Sequence, residues 1–280
     1  MKIGVLPNLD KHGAAQAVEK MGKLFKGWGY TAYLPDNICG TDYIHLPEEE
    51  IYNAADIIVT VGGDGTIIRY AKLAAKVGKP VLGVNAGRMG FLANVEPSEL
   101  DILKKLKTGE YSIEKRMLLD IDVMENGKLK GNFTAMNDAV ITGGFISRII
   151  DIKAYFGEDY ISYRADGLII ATPTGSTAYS LSAGGPIVDP ISENICITPI
   201  CSHTIAARPI MLNKNAVVKF KAQSLKKSDI FFSVDGRRAT EIKPHTEIFV
   251  KKSDYSVKFI RFNNKSFYKT LSEKFKDGGY

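Results

Sequence analysis

The sequence predicts a chain of two fold classes: an N-terminal α/β domain built on a parallel sheet, joined to a mostly antiparallel, all-β C-terminal domain. Three observations carry this prediction. Over the first hundred residues, short apolar segments alternate with amphipathic stretches; beyond residue 107, strand-like segments with turn signals take over; and the final segment returns to helical spacing. Drawn at these changes, the domains are 1–98 together with 254–280, and 99–253. With 280 residues, 45% of them hydrophobic, the chain can bury two cores.

Ile3–Leu6 reads as a first strand, short and apolar before Pro7. Ala14–Trp28 follows with helical apolar spacing and ends at Gly29. Tyr30–Leu34 is a second strand, Ile57–Val61 a third, Thr66–Lys76 a helix and Val81–Val84 a fourth strand. Short apolar strands separated by helices belong to a parallel sheet covered on both faces. Ligands of such sheets bind at the carboxyl ends of strands, where Gly62-Gly-Asp-Gly65 and Asn85-Ala-Gly-Arg-Met-Gly-Phe91 both lie. Pro97–Lys107 is helix-like. Leu118–Met124 and Asn132–Thr142 then read as strands on either side of an Asn126-Gly127 hairpin turn, followed by Ile149–Phe156, Gly167–Thr172, Val217–Ala222, Ile230–Val234 and Ile248–Val250. In the tail, Phe267, Leu271 and Phe275 recur at every fourth position, a stripe that predicts a helix docked on the first domain.

Composition narrows the partners. The 37 basic and 31 acidic residues leave a formal charge of +6, but Lys and Arg are scattered among Asp and Glu and no basic run exceeds two residues. This pattern argues against nucleic acid and suits a phosphorylated small molecule. Three cysteines, Cys39, Cys196 and Cys201, form no C-x-x-C pair, so neither a disulfide framework nor a zinc knuckle is supported and a reducing compartment is expected. The apolar start is too brief for a signal segment, and no run approaches the roughly 20 residues of a bilayer span. The expectation is a soluble, cytoplasmic protein.

The stretch Thr60-Val-Gly-Gly-Asp-Gly-Thr66 places three glycines in four positions around one carboxylate. A glycine inside an element costs roughly 0.5–1 kcal/mol relative to alanine, so the cluster needs a reason. One or two glycines with Asp64 as N-cap would make a sharp strand-to-helix turn. Three clear the Cβ atoms of Gly62, Gly63 and Gly65 so that phosphate oxygens can reach backbone N–H groups at a helix N-terminus. A carboxylate among phosphates is repelled unless it works there, by holding a divalent metal or by taking a proton from an attacking hydroxyl. That points to phosphoryl transfer. The phosphate-binding and protein-kinase signatures G-x-x-x-x-G-K-[ST], G-x-G-x-x-G, H-R-D and D-F-G are all absent, so the architecture is a different one.

The second dense stretch runs from Asp166 to Gly185. It starts as a buried strand, breaks at Pro173 and Gly175, and then offers Ser176, Thr177, Tyr179, Ser180 and Ser182. Hydroxyls with an Asp suit a ligand rich in hydroxyl and amide groups, such as ribose and nicotinamide. Helix capping and tight packing explain any single hydroxyl; the cluster favours a ligand. Isolated histidines, His12, His45, His203 and His245, are expected to be structural. Cys196 and Cys201 are expected to be small buried hydrophobes. Tyr163 and Phe91 either line a base pocket or pack in a core.

With these residues in hand, the chain resembles the NAD kinase family over nearly its whole length. Gly62-Gly-Asp-Gly-Thr66, Asn137-Asp138, the Asp166 to Gly185 block and Ser233-Val-Asp-Gly236 match the family's motifs in order, and Gly83 to Phe91 and His203 to Pro209 are similar. The first block is shared with diacylglycerol kinases and, more loosely, phosphofructokinases; the third is the specific one. The resemblance implies an NAD kinase/diacylglycerol kinase-like N-terminal domain that takes the phosphate donor, and a β-rich NAD-binding domain. It implies transfer of a phosphoryl group from ATP or polyphosphate to the 2′-hydroxyl of NAD's adenosine ribose, with Asp64 as general base. Gly62, Gly63, Gly65 and Arg69 would line the turn; Phe91, Asn137, Asp138, Arg164, Asp166, Thr177, Ala178, Tyr179 and Ser182 would bind nucleotide, with Asp235 and Arg237 in the last block. Asp138 is one methylene shorter than the family's more usual Glu, and Arg237 stands where Gln is frequent. No protein metal site is expected, because Mg²⁺ keeps its waters and would ride on the donor phosphates. A homodimer or homotetramer is implied by the family alone. A lipid or sugar kinase sharing only the glycine turn, and a dinucleotide sensor without turnover, are the competing functions.

Overall fold

The computed structural model describes residues 1–87, 90–144, 148–203, 207–224, 229–237, 239–243, 246–262 and 266–276. It divides into two compact units, Met1–Lys115 with Val257–Tyr280, and Arg116–Ser256.

In the first unit, β1 (Lys2–Pro7), β2 (Thr31–Pro35), β3 (Ile44–Leu46), β4 (Ile57–Gly62) and β5 (Val81–Asn85) form a parallel sheet in the order β5-β4-β1-β2-β3. Three helices connect them: α1 (Ala14–Gly27), α2 (Glu48–Ala54) and α3 (Asp64–Lys76). Every residue of β4 is buried, as a central parallel strand requires. The buried stripe of α1, Ala14, Ala17, Val18, Met21 and Phe25, packs with Ile3, Val5, Leu82 and Val84 in one core. The helix gives way at Gly29, whose φ of 70° is free only to a residue without a Cβ. Sequence reading missed β3 and α2, which are too short to show a period, although α2 buries Ile51 and Tyr52. The predicted helix Pro97–Lys107 is a 3₁₀ segment, Pro97–Lys104, followed by one α-turn, Lys105–Thr108. Phe259, near the end of the chain's last strand, pairs in parallel with Val81.

The second unit is β-rich. One sheet has the order β13-β12-β11-β8-β15-β16, from β8 (Asp138–Gly143), β11 (Gly167–Ala171), β12 (Asn194–Ile200), β13 (Ile210–Asn213), β15 (Ile230–Val234) and β16 (Thr240–Ile242), all antiparallel. Another run joins β10 (Asp159–Ala165), β9 (Ile150–Phe156), β14 (Val218–Ser224) and the first part of β17 (Glu247–Arg261). Apolar residues of both runs, among them Ile141, Leu168, Ile152 and Phe220, fill one core. The hairpin at Asn126-Gly127 joins β6 (Ser112–Glu125) to β7 (Lys128–Ala135), both residues having positive φ.

Two expectations are corrected here. Asn132–Thr142 is two strands: β7 pairs with β6, while β8 pairs with β11 and β15. Between them the backbone N–H groups of Met136 and Asn137 are captured by the carboxylate of Asp235 instead of a neighbouring strand. The terminal helix, Phe267–Lys276, does form, but Phe275 is 58% exposed and the residue it buries is Thr270. Sequence reading also missed β12, which carries a proline; Pro199 is accommodated because β13 pairs only with Asn194 to Ile197, leaving β11 as the sole partner strand there.

Candidate functional site

The glycine turn sits where β4 hands over to α3. The three glycines have different reasons. A Cβ on Gly62 would come within 2.7 Å of Thr66, so Gly62 is required by packing. Gly63 and Gly65 face open space, with no atom within 4 Å of such a Cβ, and neither has a positive φ. No protein contact and no backbone strain demands glycine at those two positions, which leaves what enters the space in front of them. That space is a cavity of about 1070 Å³ whose lining includes Gly63, Asp64, Gly65, Arg69 and Gly90. Among the described residues its cations are Lys11, Arg69 and Lys274 and its carboxylates are Asp10 and Asp64. Arg69 also reaches Glu48 at 3.4 Å and lies over the ring of Tyr70.

Asp64 is not an N-cap. The cap position belongs to Gly63, and Asp64 is the first helical residue. Its carboxylate instead accepts backbone N–H groups from Phe91, at 2.9 Å, and Leu92, at 3.2 Å. Gly90 makes this contact possible, since a Cβ there would lie 2.0 Å from Asp64 Oδ1. A carboxylate has about four lone-pair sites, so two N–H donors fix its position and still leave acceptor capacity for a ligand hydroxyl. Among the described residues no three His, Cys, Asp or Glu side chains gather into a metal cage. The acidic groups lining the cavity, among the described residues, are Asp10 and Asp64.

In the second unit the predicted residues fall into two groups, set by the β8–β11 pairing. Asp138 lies opposite Ala171 at one end of that pair, whereas Asp166 precedes Gly167 at the other, opposite Thr142. At the first end, Asp235 accepts N–H groups from Met136, Asn137 and Asp138, its own φ of 50° placing it in a tight turn with Gly236. Gly175 presses on the Asn137 carbonyl, which a Cβ would meet at 2.1 Å. Asp138 is 4% exposed, and its carboxyl is pushed up to about 7, first by burial and then by the charge of Asp235. Arg237 is exposed just beyond the turn.

At the other end, Asp166 and Tyr179 line a cavity of about 640 Å³ with Arg148, Cys201, Phe231 and Ala239. The hydroxyl cluster separates here. Ser176 and Ser180 are fully buried and bonded internally, to Pro173 O and to Thr198 Oγ1. Tyr179 and Ser182 are exposed and Thr177 and Ala178 half-buried, so these four keep access to a ligand. Arg164 is exposed and forms a two-bond pair with Asp151 at 2.9 and 3.0 Å.

Of the remaining predicted residues, Tyr163 is in the core with its hydroxyl buried and without a hydrogen-bond partner. Phe91 is half-buried against Phe267, the ring centroids 5.8 Å apart. Cys196 is buried as expected, but Cys201 is exposed, a correction: it follows the end of β12 with a φ of 46°, where the chain turns outward. His12 and His203 are exposed, His45 is held by the carbonyls of Pro35 and Gly40, and His245 lies outside the described residues, as do Arg88, Met89 and 204–206 of the two similar blocks. Sequence reading missed Gly90 as a partner of Asp64, although its block was noticed, and missed Lys274, for which no local pattern exists.

Comparison with known proteins places the chain in a family. Residues 8–111 match the ATP-NAD kinase N-terminal domain and residues 136–262 the ATP-NAD kinase C-terminal domain. A NAD kinase of Caldanaerobacter subterraneus subsp. tengcongensis is 41% identical over 278 residues, 98% of each chain. One of Acetivibrio thermocellus is 37% identical over 284 residues, covering 100% of this chain and 98% of the other. Among solved structures, a yeast NADH kinase complexed with NADH superimposes with a TM-score of 0.86 at 22% identity, over 100% of this chain and 89% of that one, a likeness of fold. An NAD kinase from Archaeoglobus fulgidus in complex with ATP superimposes with a TM-score of 0.73 at 25% identity, over 99% of both chains. A two-unit fold with a glycine-lined cavity and a single acid at a helix start defines a phosphotransferase. The chain belongs to the NAD kinase family, phosphotransferases that act on NAD.

Proposed function

We propose that the chain transfers the terminal phosphoryl group of ATP, or of polyphosphate, to the 2′-hydroxyl of the adenosine ribose of NAD, giving NADP, with Asp64 as general base. The observation that carries this reading is the pair of glycines, Gly63 and Gly65, kept open beside a fixed carboxylate although nothing among the described residues fills the space. A ribose hydroxyl is a poor nucleophile at neutral pH. An acid held by two N–H groups, with acceptor capacity to spare, suits the removal of its proton as the phosphorus–oxygen bond forms. Backbone N–H groups at the start of α3, with Lys11, Arg69 and Lys274, would balance the donor's phosphate charge. Magnesium bound to the donor phosphates would neutralise further charge and orient the transferred group.

In this reading, residues 1–98 with 254–280 take the donor and 99–253 take NAD. Asn137, Asp138, Asp166, Thr177, Ala178, Tyr179 and Ser182 would contact the dinucleotide, Tyr179 and Ser182 through exposed hydroxyl-bearing side chains. The Archaeoglobus relative's complex supports ATP as the donor, and the yeast enzyme's complex supports a nicotinamide dinucleotide as the acceptor. No helix among the described residues is long and apolar enough to cross a membrane. A cytoplasmic location is part of the proposal, on the cysteine usage.

Asp64→Asn is the test of the base. It keeps the shape and one of the two backbone N–H bonds, the amide nitrogen replacing the oxygen that accepts the other, and is expected to lower kcat by about 10²–10⁴ while KM for NAD changes little. Near-normal turnover in this variant would remove Asp64 from the chemistry. Assays with ATP and with polyphosphate, followed by NMR of the dinucleotide, identify both the donor and the phosphorylated hydroxyl.

A further inference from the structure

We infer that Lys274, on the terminal helix, is a ligand for the donor's phosphate chain, so that the last element of the sequence completes the donor site. This rests on the reading that the Asp64 cavity takes the phosphate donor. The placement is the first argument: Lys274 lines that cavity together with Gly63, Asp64 and Gly65, although it follows them by some two hundred residues.

The second argument is how Lys274 is held. Its ammonium lies 4.9 Å from the centroid of the Phe91 ring, and Phe91 in turn packs on Phe267 at the start of the same helix. Two contacts, one at each end of the helix, thus bind it to the residue whose backbone N–H holds the Asp64 carboxylate. A partly exposed cation over an aromatic face is a weak association. A phosphate oxygen offers the same ammonium a charge-assisted hydrogen bond, the stronger of the two, and the flexible four-carbon stem lets the charge move from ring to phosphate without moving the helix.

Charge balance is the third argument. Among the described residues the cavity presents Lys11, Arg69 and Lys274 against the carboxylates of Asp10 and Asp64. Arg69 is already shared with Glu48. A triphosphate brings several negative charges into this space, and Lys274 supplies a positive charge on the wall of the same cavity as Asp64.

The experiment compares Lys274→Met, which keeps an apolar stem over Phe91, with Lys274→Arg, which keeps the charge, and uses Gly63→Val as the control for the cavity itself. Gly63 has an extended backbone, φ −87° and ψ 178°, that valine adopts, and its Cβ would project into the open cavity. Initial rates in ATP and NAD give both KM values, and thermal melts establish that each variant is folded. The expectation is that Lys274→Met raises KM for ATP about tenfold, Lys274→Arg restores it to within about twofold, and KM for NAD stays unchanged in both. If Lys274→Met leaves KM for ATP unchanged, or raises KM for NAD equally, Lys274 is not a donor ligand. Should Gly63→Val itself leave KM for ATP unaltered, the donor does not occupy this cavity and the underlying reading fails. A raised KM for ATP in Gly63→Val with an unchanged one in Lys274→Met overturns only the assignment of Lys274.

Discussion

Asp138 is a carboxyl held away from water. It is 4% exposed, and its carboxyl is raised from 3.8 to about 7 by burial and by the neighbouring Asp235 charge. A carboxyl with a folded value above its unfolded one keeps its proton in the fold after the unfolded chain has released it. The stability it contributes is therefore fully present below about pH 4 and is lost as pH rises toward and through 7. Asp138→Asn removes this titration. Urea unfolding of both proteins across this range is expected to show the Asn variant gaining on the wild type with rising pH, by at most about 1.4 kcal/mol per pH unit. A difference that stays constant with pH would mean that Asp138 ionises as freely in the fold as outside it. At this scale the sequence displayed Asp64 and its glycines plainly, because a cluster of glycines has few uses. It did not display which glycine served what. Gly62 answers to Thr66 and Gly90 to Asp64, and only Gly63 and Gly65 are left open for a ligand.

At the scale of elements, the segment from Asn132 to Thr142 is the instructive one. Its strand-like composition continues across the junction, so local reading cannot find the break. What makes it is the carboxylate of Asp235, 98 residues beyond Asn137, which takes the backbone N–H groups that a continuous strand would have paired. Gly175 closes the same junction from the other side, against the Asn137 carbonyl. Gly175→Ala would place a methyl group 2.1 Å from that oxygen, and backbone has little room to yield. The expected cost is about 1–3 kcal/mol of stability, measured by denaturant unfolding, with no effect if the 172–175 turn can shift. The strands β4 and β11 were legible because both are wholly buried and read as continuous apolar runs. The strands β3 and β16, of three residues each, were not. Too few residues carry a period, and their pairing is decided by the neighbours they add to.

For the whole molecule, the family suggests an assembly of two or four chains. With a chain of 30.7 kDa, light scattering on the eluting protein is expected to give about two or four times that mass at micromolar concentration. A chain that elutes at its own mass at every concentration would set the assembly aside. By itself the sequence determined the two fold classes, the central strands, the glycine turn with its acid and the hydroxyl-bearing block, because each rests on residues adjacent in the chain whose period or composition is a local property. Only the tertiary structure decided that Phe91 and Leu92 hold Asp64, that Asp235 divides β7 from β8, which hydroxyls of the cluster stay exposed, and that Lys274 lines the Asp64 cavity. These depend on carboxylates, amides and rings brought together from distant parts of the chain, and contacts of that kind leave no mark in any one stretch of sequence.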